Sequence, residues 1–216
     1  MKNNYQLVIF DLDGTLLDTL DDLADSVNYA LETESLPART REEVRRFVGN
    51  GIRKLVERAV PAGTAVEVTD RVFEAFKERY KAHCADKTKP YEGILDLLCK
   101  LKEREVKTAV VSNKADFAVK ELCEQYFPGL LCEAIGERTG IARKPAPDTV
   151  NEVLRLLGMD RTQAVYIGDS EVDVETAQNA GLDCIAVKWG FRDAQVLQSA
   201  GAEVIVSDAE ELAGYL

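Results

Sequence analysis

The first uninterrupted apolar run in the chain is Leu7-Val8-Ile9-Phe10, and it breaks directly into Asp11-Leu12-Asp13-Gly14-Thr15. Four apolar residues without alternation predict a strand covered on both faces, as in the middle of a parallel sheet. Beyond residue 90 such runs alternate with helical periods. Lys107-Thr108-Ala109-Val110-Val111 follows a helix expected over about Glu92 to Arg104, and Cys132-Glu133-Ala134-Ile135, Ala164-Val165-Tyr166-Ile167, Cys184-Ile185-Ala186-Val187 and Glu203-Val204-Ile205-Val206 read as further strands. Strands separated by helices in this way predict an α/β fold with a parallel sheet.

Residues 17–85 break the alternation. Leu20, Leu23, Ala24, Val27, Ala30 and Leu31 share one helical face, Thr40-Arg41-Glu42-Glu43 has the spacing of a capping box, and Val72, Phe73, Phe76 and Tyr80 mark another helix. The expected architecture is a doubly wound, Rossmann-like core of residues 1–16 and 86–216. A small all-helical cap, residues 17–85, is inserted after the first strand. Its two crossings, at Gly14 to Asp18 and Asp86 to Pro90, would act as a hinge beneath a lid.

Composition narrows the function classes. The 216 residues carry a formal net charge of −11, which argues against nucleic acid or an anionic membrane as partner, since either needs a basic face. No apolar run approaches the ~20 residues of a membrane span, so a soluble protein is expected. Cys84, Cys99, Cys123, Cys132 and Cys184 are scattered without C-x-x-C spacing and read as buried thiols of a reducing cytoplasm. A monomer or a homodimer is expected.

The polar signals that end the strands converge on one edge of the expected sheet, where open α/β folds bind ligands. Asp11 and Asp13 leave the first strand, and Gly14 lets the backbone turn close to a bound phosphate. The second strand is expected to end at Ser112-Asn113, where a hydroxyl and the amides of a following helix could hold phosphate oxygens. Lys144 precedes Pro145 and Pro147 and could neutralise a nucleophile and a phosphate. Gly168-Asp169 ends a fourth strand, setting Asp169 across from Asp11, and two carboxylates with a carbonyl and waters suit Mg²⁺. His83, the single histidine, receives no role; Trp189 either joins the core or borders the site.

Taken in order, Asp11-Leu12-Asp13-Gly14-Thr15-Leu16, Val111-Ser112-Asn113, Lys144-Pro145 and Gly168-Asp169 with Asp173 resemble the four motifs of the haloacid dehalogenase superfamily, and the helical insertion is similar to its small cap. The resemblance covers essentially the whole chain. It implies Asp11 as nucleophile forming an aspartyl-phosphate, Asp13 as acid and base, and Lys144 as the neutralising cation. Mg²⁺ would be held by Asp11, the Asp13 carbonyl and Asp169. Thr15 and Ser112 would bind phosphate oxygens or position Asp13 and Asn113, and Asp173 would orient metal-bound water or Lys144.

Asp13 argues for phosphoryl transfer rather than dehalogenation, and Thr15 with Gly168 argues for a hydrolase over a mutase. Val48-Gly49-Asn50-Gly51-Ile52-Arg53, together with Trp189-Gly190-Phe191-Arg192, resembles the phosphoglycolate phosphatase branch. That resemblance implies 2-phosphoglycolate as the small phosphorylated substrate, whose carboxylate a guanidinium such as Arg53 could grip. A pyrophosphatase, a broad sugar-phosphate phosphatase, or a non-catalytic regulatory protein on the same fold are the alternatives.

Overall fold

A computed structural model describes residues 5–49 and 51–216. β1 (Leu7–Phe10) and β2 (Leu17–Asp18) precede four helices, α1 (Leu20–Thr33), α2 (Arg41–Phe47), α3 (Ile52–Ala59) and α4 (Val66–His83). β3 (Lys89–Pro90) and α5 (Ile94–Glu103) then lead to β4 (Lys107–Ala115), α6 (Asp116–Tyr126), β5 (Glu133–Glu137) and α7 (Asp148–Leu157). The chain closes with β6 (Ala164–Gly168), α8 (Glu171–Ala180), β7 (Asp183–Val187), α9 (Ala194–Ser199), β8 (Val204–Val206) and α10 (Ala209–Tyr215).

Six strands pair in the order β5-β4-β1-β6-β7-β8, all parallel. β1 is central: Phe10 sits in register with Val110 on one side and Ile167 on the other. The order reverses at β1, since the chain moves from it to β4 and β5 on one side and to β6, β7 and β8 on the other. That reversal opens the crevice in which such sheets bind ligands, directly beyond Phe10. All four β1 side chains are fully buried, as the unalternated run requires. Leu7 and Ile9 join Ala109, Val111, Ile135, Ala164 and Tyr166 of neighbouring strands, covered by Val150 and Val153 of α7 and Ala177 of α8. Burying each of the Leu, Ile and Val side chains among them is worth about 1.5–3 kcal/mol relative to exposure.

By compactness the chain divides into residues 1–17 with 90–216, and residues 18–89. β2 and β3 pair where the chain passes between the two. Within the helical unit, Leu20, Leu23, Ala24, Val27, Ala30 and Leu31 of α1 are buried, and α1 packs chiefly on α4, which buries Val72, Phe76 and Tyr80. The capping box is formed: Thr40 accepts from the Glu43 amide while Glu43 accepts from the Thr40 amide. Asp22, buried in α1, accepts from the amides of Lys87 and Thr88 at 3.0 and 2.8 Å and from the Thr88 hydroxyl at 2.8 Å, tying the end of the unit to its first helix.

Two expectations change. β4 runs four residues past Val111, with its pairing to β5 irregular between Val111 and Ala115, so Ser112 and Asn113 lie inside a strand rather than at a helix start. The thiols are not uniformly buried: Cys123 is, whereas Cys99 and Cys132 are exposed, because they fall on the outer side of α5 and just before β5. Among the described residues no helix is long and apolar enough to cross a membrane.

Candidate active site

Asp11 is the first residue past β1, and its amide donates to the Ile167 carbonyl at 2.8 Å, holding it at the sheet edge. Gly14 turns with φ +88°, a conformation that favours glycine, and a Cβ there would overlap the Asp169 carboxylate. Leaving β6, Asp169 accepts from the Phe191 amide at 2.6 Å and the Thr15 hydroxyl at 3.3 Å. Thr15 therefore reaches Asp169, not Asp13.

Lys144 binds the site together. Its ammonium lies 2.9 Å from Asp11 and 2.7 Å from Asp173, with the Tyr166 hydroxyl at 3.1 Å. Burial pulls the ammonium down, but the Asp11 and Asp173 carboxylates outweigh it and hold Lys144 well above the ordinary lysine range. Asp173 is the N3 residue of the α8 capping box, so one oxygen takes the Ser170 amide and hydroxyl, at 3.1 and 2.6 Å, and the other takes Lys144. Helix capping and lysine orientation are thus done by one carboxylate. Asn113 acts from the opposite side: its amide group donates to the Lys144 carbonyl at 3.0 Å and accepts from the Lys144 N–H at 2.9 Å. This side chain positions the lysine loop; the Ser112 hydroxyl accepts the Lys114 amide at 3.2 Å.

Like charges crowd the centre. Carboxylate oxygens of Asp11, Asp169 and Asp173 fall within 4.8 Å of one another, all three residues buried. Burial pushes Asp11 up to about 7, with Lys144 pulling down and Asp173 pushing up. Asp169 is raised well above the carboxylate range, first by burial and then by Asp173 and Asp11. Three buried carboxylates against one lysine leave an excess of negative charge that a divalent cation on hard oxygen donors would balance, so the residues fit Mg²⁺.

Two residues outside the sequence-derived set complete the arrangement. Lys114 pairs with Asp13 at 2.8 Å, and Tyr166 supports Lys144 and Asp173. A lysine two positions after Ser112 on an extended strand shares its face, a signal lost when the strand is ended at Val111. The loop after β7 also converges here. Trp189 Nε1 donates to the Thr15 carbonyl at 3.0 Å, and a Cβ at Gly190 would overlap Gly14 and Asp169. Arg192 pairs with Glu171 at 2.8 Å.

The remaining sequence candidates lie in the helical unit. Gly49 and Gly51 adopt φ +115° and +84°, Gly51 preceding α3, while Asn50 lies outside the described residues. Arg53 is engaged by Asp70 at 2.6 Å and Glu57 at 3.0 Å, with its guanidinium 5.3 Å from the Phe73 ring centre. His83 lies between Asp86 and Arg79.

Comparison with known proteins covers the same part of the chain. A family model for haloacid dehalogenase-like hydrolases matches residues 8–187, a span that holds Asp11, Lys114, Lys144, Asp169 and Asp173. A phosphoglycolate phosphatase of Mesorhizobium japonicum is 34% identical over 92% of this chain and 89% of its own length. One from Psychrobacter arcticus is 33% identical over 98% and 95%. A crystal structure from Lactobacillus delbrueckii subsp. bulgaricus, provisionally named a phosphoglycolate phosphatase, superposes with a TM-score of 0.94 at 43% identity and covers 99% of both chains. Likeness of this extent means that the chain belongs to the haloacid dehalogenase-like hydrolases and is a phosphoric monoester hydrolase among them.

Proposed function

We propose that this chain hydrolyses small phosphate monoesters through a phosphorylated Asp11, with 2-phosphoglycolate as the principal substrate. The observation that carries the reading is the separate tethering of two carboxylates two residues apart: Asp11 by Lys144 at 2.9 Å and Asp13 by Lys114 at 2.8 Å. One can attack while the other moves protons. Support for the substrate comes from the relatives named phosphoglycolate phosphatase that align along nearly the full chain.

An Asp11 oxygen attacks phosphorus as the ester P–O bond breaks, giving an aspartyl-phosphate. Asp13 enters protonated and gives its proton to the departing oxygen; the carboxylate so formed takes one from the water that attacks the same phosphorus, and the bond to Asp11 breaks to release phosphate and restore both side chains. Lys144, held by Asp173 and by Asn113, keeps the Asp11 carboxylate oriented and offsets charge gathering on the phosphoryl oxygens. Asp11 and Asp169, with the Asp13 carbonyl, would hold Mg²⁺, which when bound supplies charge neutralisation between an anionic nucleophile and an anionic ester.

The test is phosphate release from a panel containing 2-phosphoglycolate, sugar phosphates and pyrophosphate, with Mg²⁺ and with a chelator. Mg²⁺-dependent release, fastest on 2-phosphoglycolate and abolished in Asp11→Asn, is expected. Release that survives in Asp11→Asn would exclude the nucleophile, and preference for another ester would exclude the substrate.

A further inference from the structure

The alternation along β4 that turns Asn113 toward the Lys144 loop turns Lys114 the other way. There its ammonium donates to both oxygens of Asp13, at 2.8 and 3.1 Å. The lysine side chain is 6% exposed and that of Asp13 is 19% exposed. A buried ammonium is costly to desolvate, so its placement needs a compensating partner, and here the partner is the carboxylate that the reaction needs to place well. The support runs deeper into the strand, since the Ser112 hydroxyl accepts the Lys114 amide and fixes the backbone from which the lysine extends. Contact with both oxygens restricts the carboxylate in position and in rotation, which a single hydrogen bond would not do.

We propose that Lys114 is a positioning residue for proton transfer: it fixes the Asp13 carboxylate where the departing oxygen can be reached. The proposal rests on the assignment of Asp13 as acid and base made above. Proton transfer by a side chain demands hydrogen-bond reach, and a carboxylate released from Lys114 would spread over rotamers that lack it.

Leaving-group selectivity separates this role from a general structural one. With enzyme in excess and Mg²⁺ present, leaving-group release in a single turnover is followed for an alkyl phosphate and for 4-nitrophenyl phosphate, whose phenolate departs without a proton. Lys114→Met is expected to slow the alkyl ester by about 10–100-fold and the aryl ester by less than about threefold, without weakening substrate binding. Asp13→Asn should show the same selectivity more strongly. Equal losses on the two esters, no loss, or a loss confined to substrate affinity in Lys114→Met would overturn the proposal while Asp13→Asn remained selective. Absence of selectivity in Asp13→Asn itself would remove the acid assignment, and the proposal with it. Should Lys114→Met not fold, Lys114→Gln carries the same measurement.

Discussion

Replacing Asp11 should make the metal-free protein more stable at neutral and alkaline pH. In the folded chain burial raises the Asp11 carboxyl from 3.8 to about 7 despite Lys144 at 2.9 Å. Between those values the folded protein keeps a proton that the unfolded chain has lost, so the Asp11 contribution to stability falls as pH rises through this window and levels off above it. At about 1.4 kcal/mol per pH unit the ceiling is about 4 kcal/mol, and relaxation around the charge brings the expected effect to about 2–4 kcal/mol. Asparagine resembles the protonated acid and escapes the cost. Urea unfolding in a chelator, followed by the fluorescence of the single tryptophan, Trp189, should show Asp11→Asn ahead of the parent by that amount at pH 8 and by only about 1–1.5 kcal/mol at pH 5. Saturating Mg²⁺ should then close most of this gap, adding about 2.7 kcal/mol to the parent at a hundredfold excess over Kd and much less to the variant. If Asp11→Asn were the less stable protein at pH 8 without metal, the pairing with Lys144 would outweigh burial and the reasoning would fail.

Other outcomes follow from the same geometry. Lys144→Met strands the Asp11 and Asp173 carboxylates, so it should lose turnover and about 3–5 kcal/mol of stability at pH 8, with a smaller loss at pH 5 where Asp11 takes a proton; urea titration at the two pH values checks this. Gly190→Ala pushes a methyl group into Gly14 and Asp169 and should weaken Mg²⁺ binding by at least about tenfold, as read by calorimetric titration. Thr40→Ala removes the α2 capping box, and a stability loss of about 1 kcal/mol with unchanged kcat is expected from melting and steady-state assays.

What the sequence determined by itself is whatever depends on neighbours along the chain. Leu7–Phe10 is a central strand because unbroken apolar residues can be satisfied only by cover on both faces, and Thr40 with Glu43 caps a helix because the two groups are one turn apart. The parallel sheet followed from the alternation of such elements, and with it the edge where Asp11, Lys144 and Asp169 meet. The tertiary structure decided how charged groups far apart in sequence share their partners. Lys114 reaches Asp13 across 101 positions, and Asn113 spends its amide on Lys144 across 31. Neither is legible locally, because polar residues after Val111 read as a strand end until pairing with β5 extends the strand through Ala115. Arg53 reads as an available guanidinium until α4 brings Asp70 to it. Backbone periodicity and burial are properties of a short segment, whereas the pairing of buried charges depends on where separate strands and loops end in space, and only the folded chain brings those ends together.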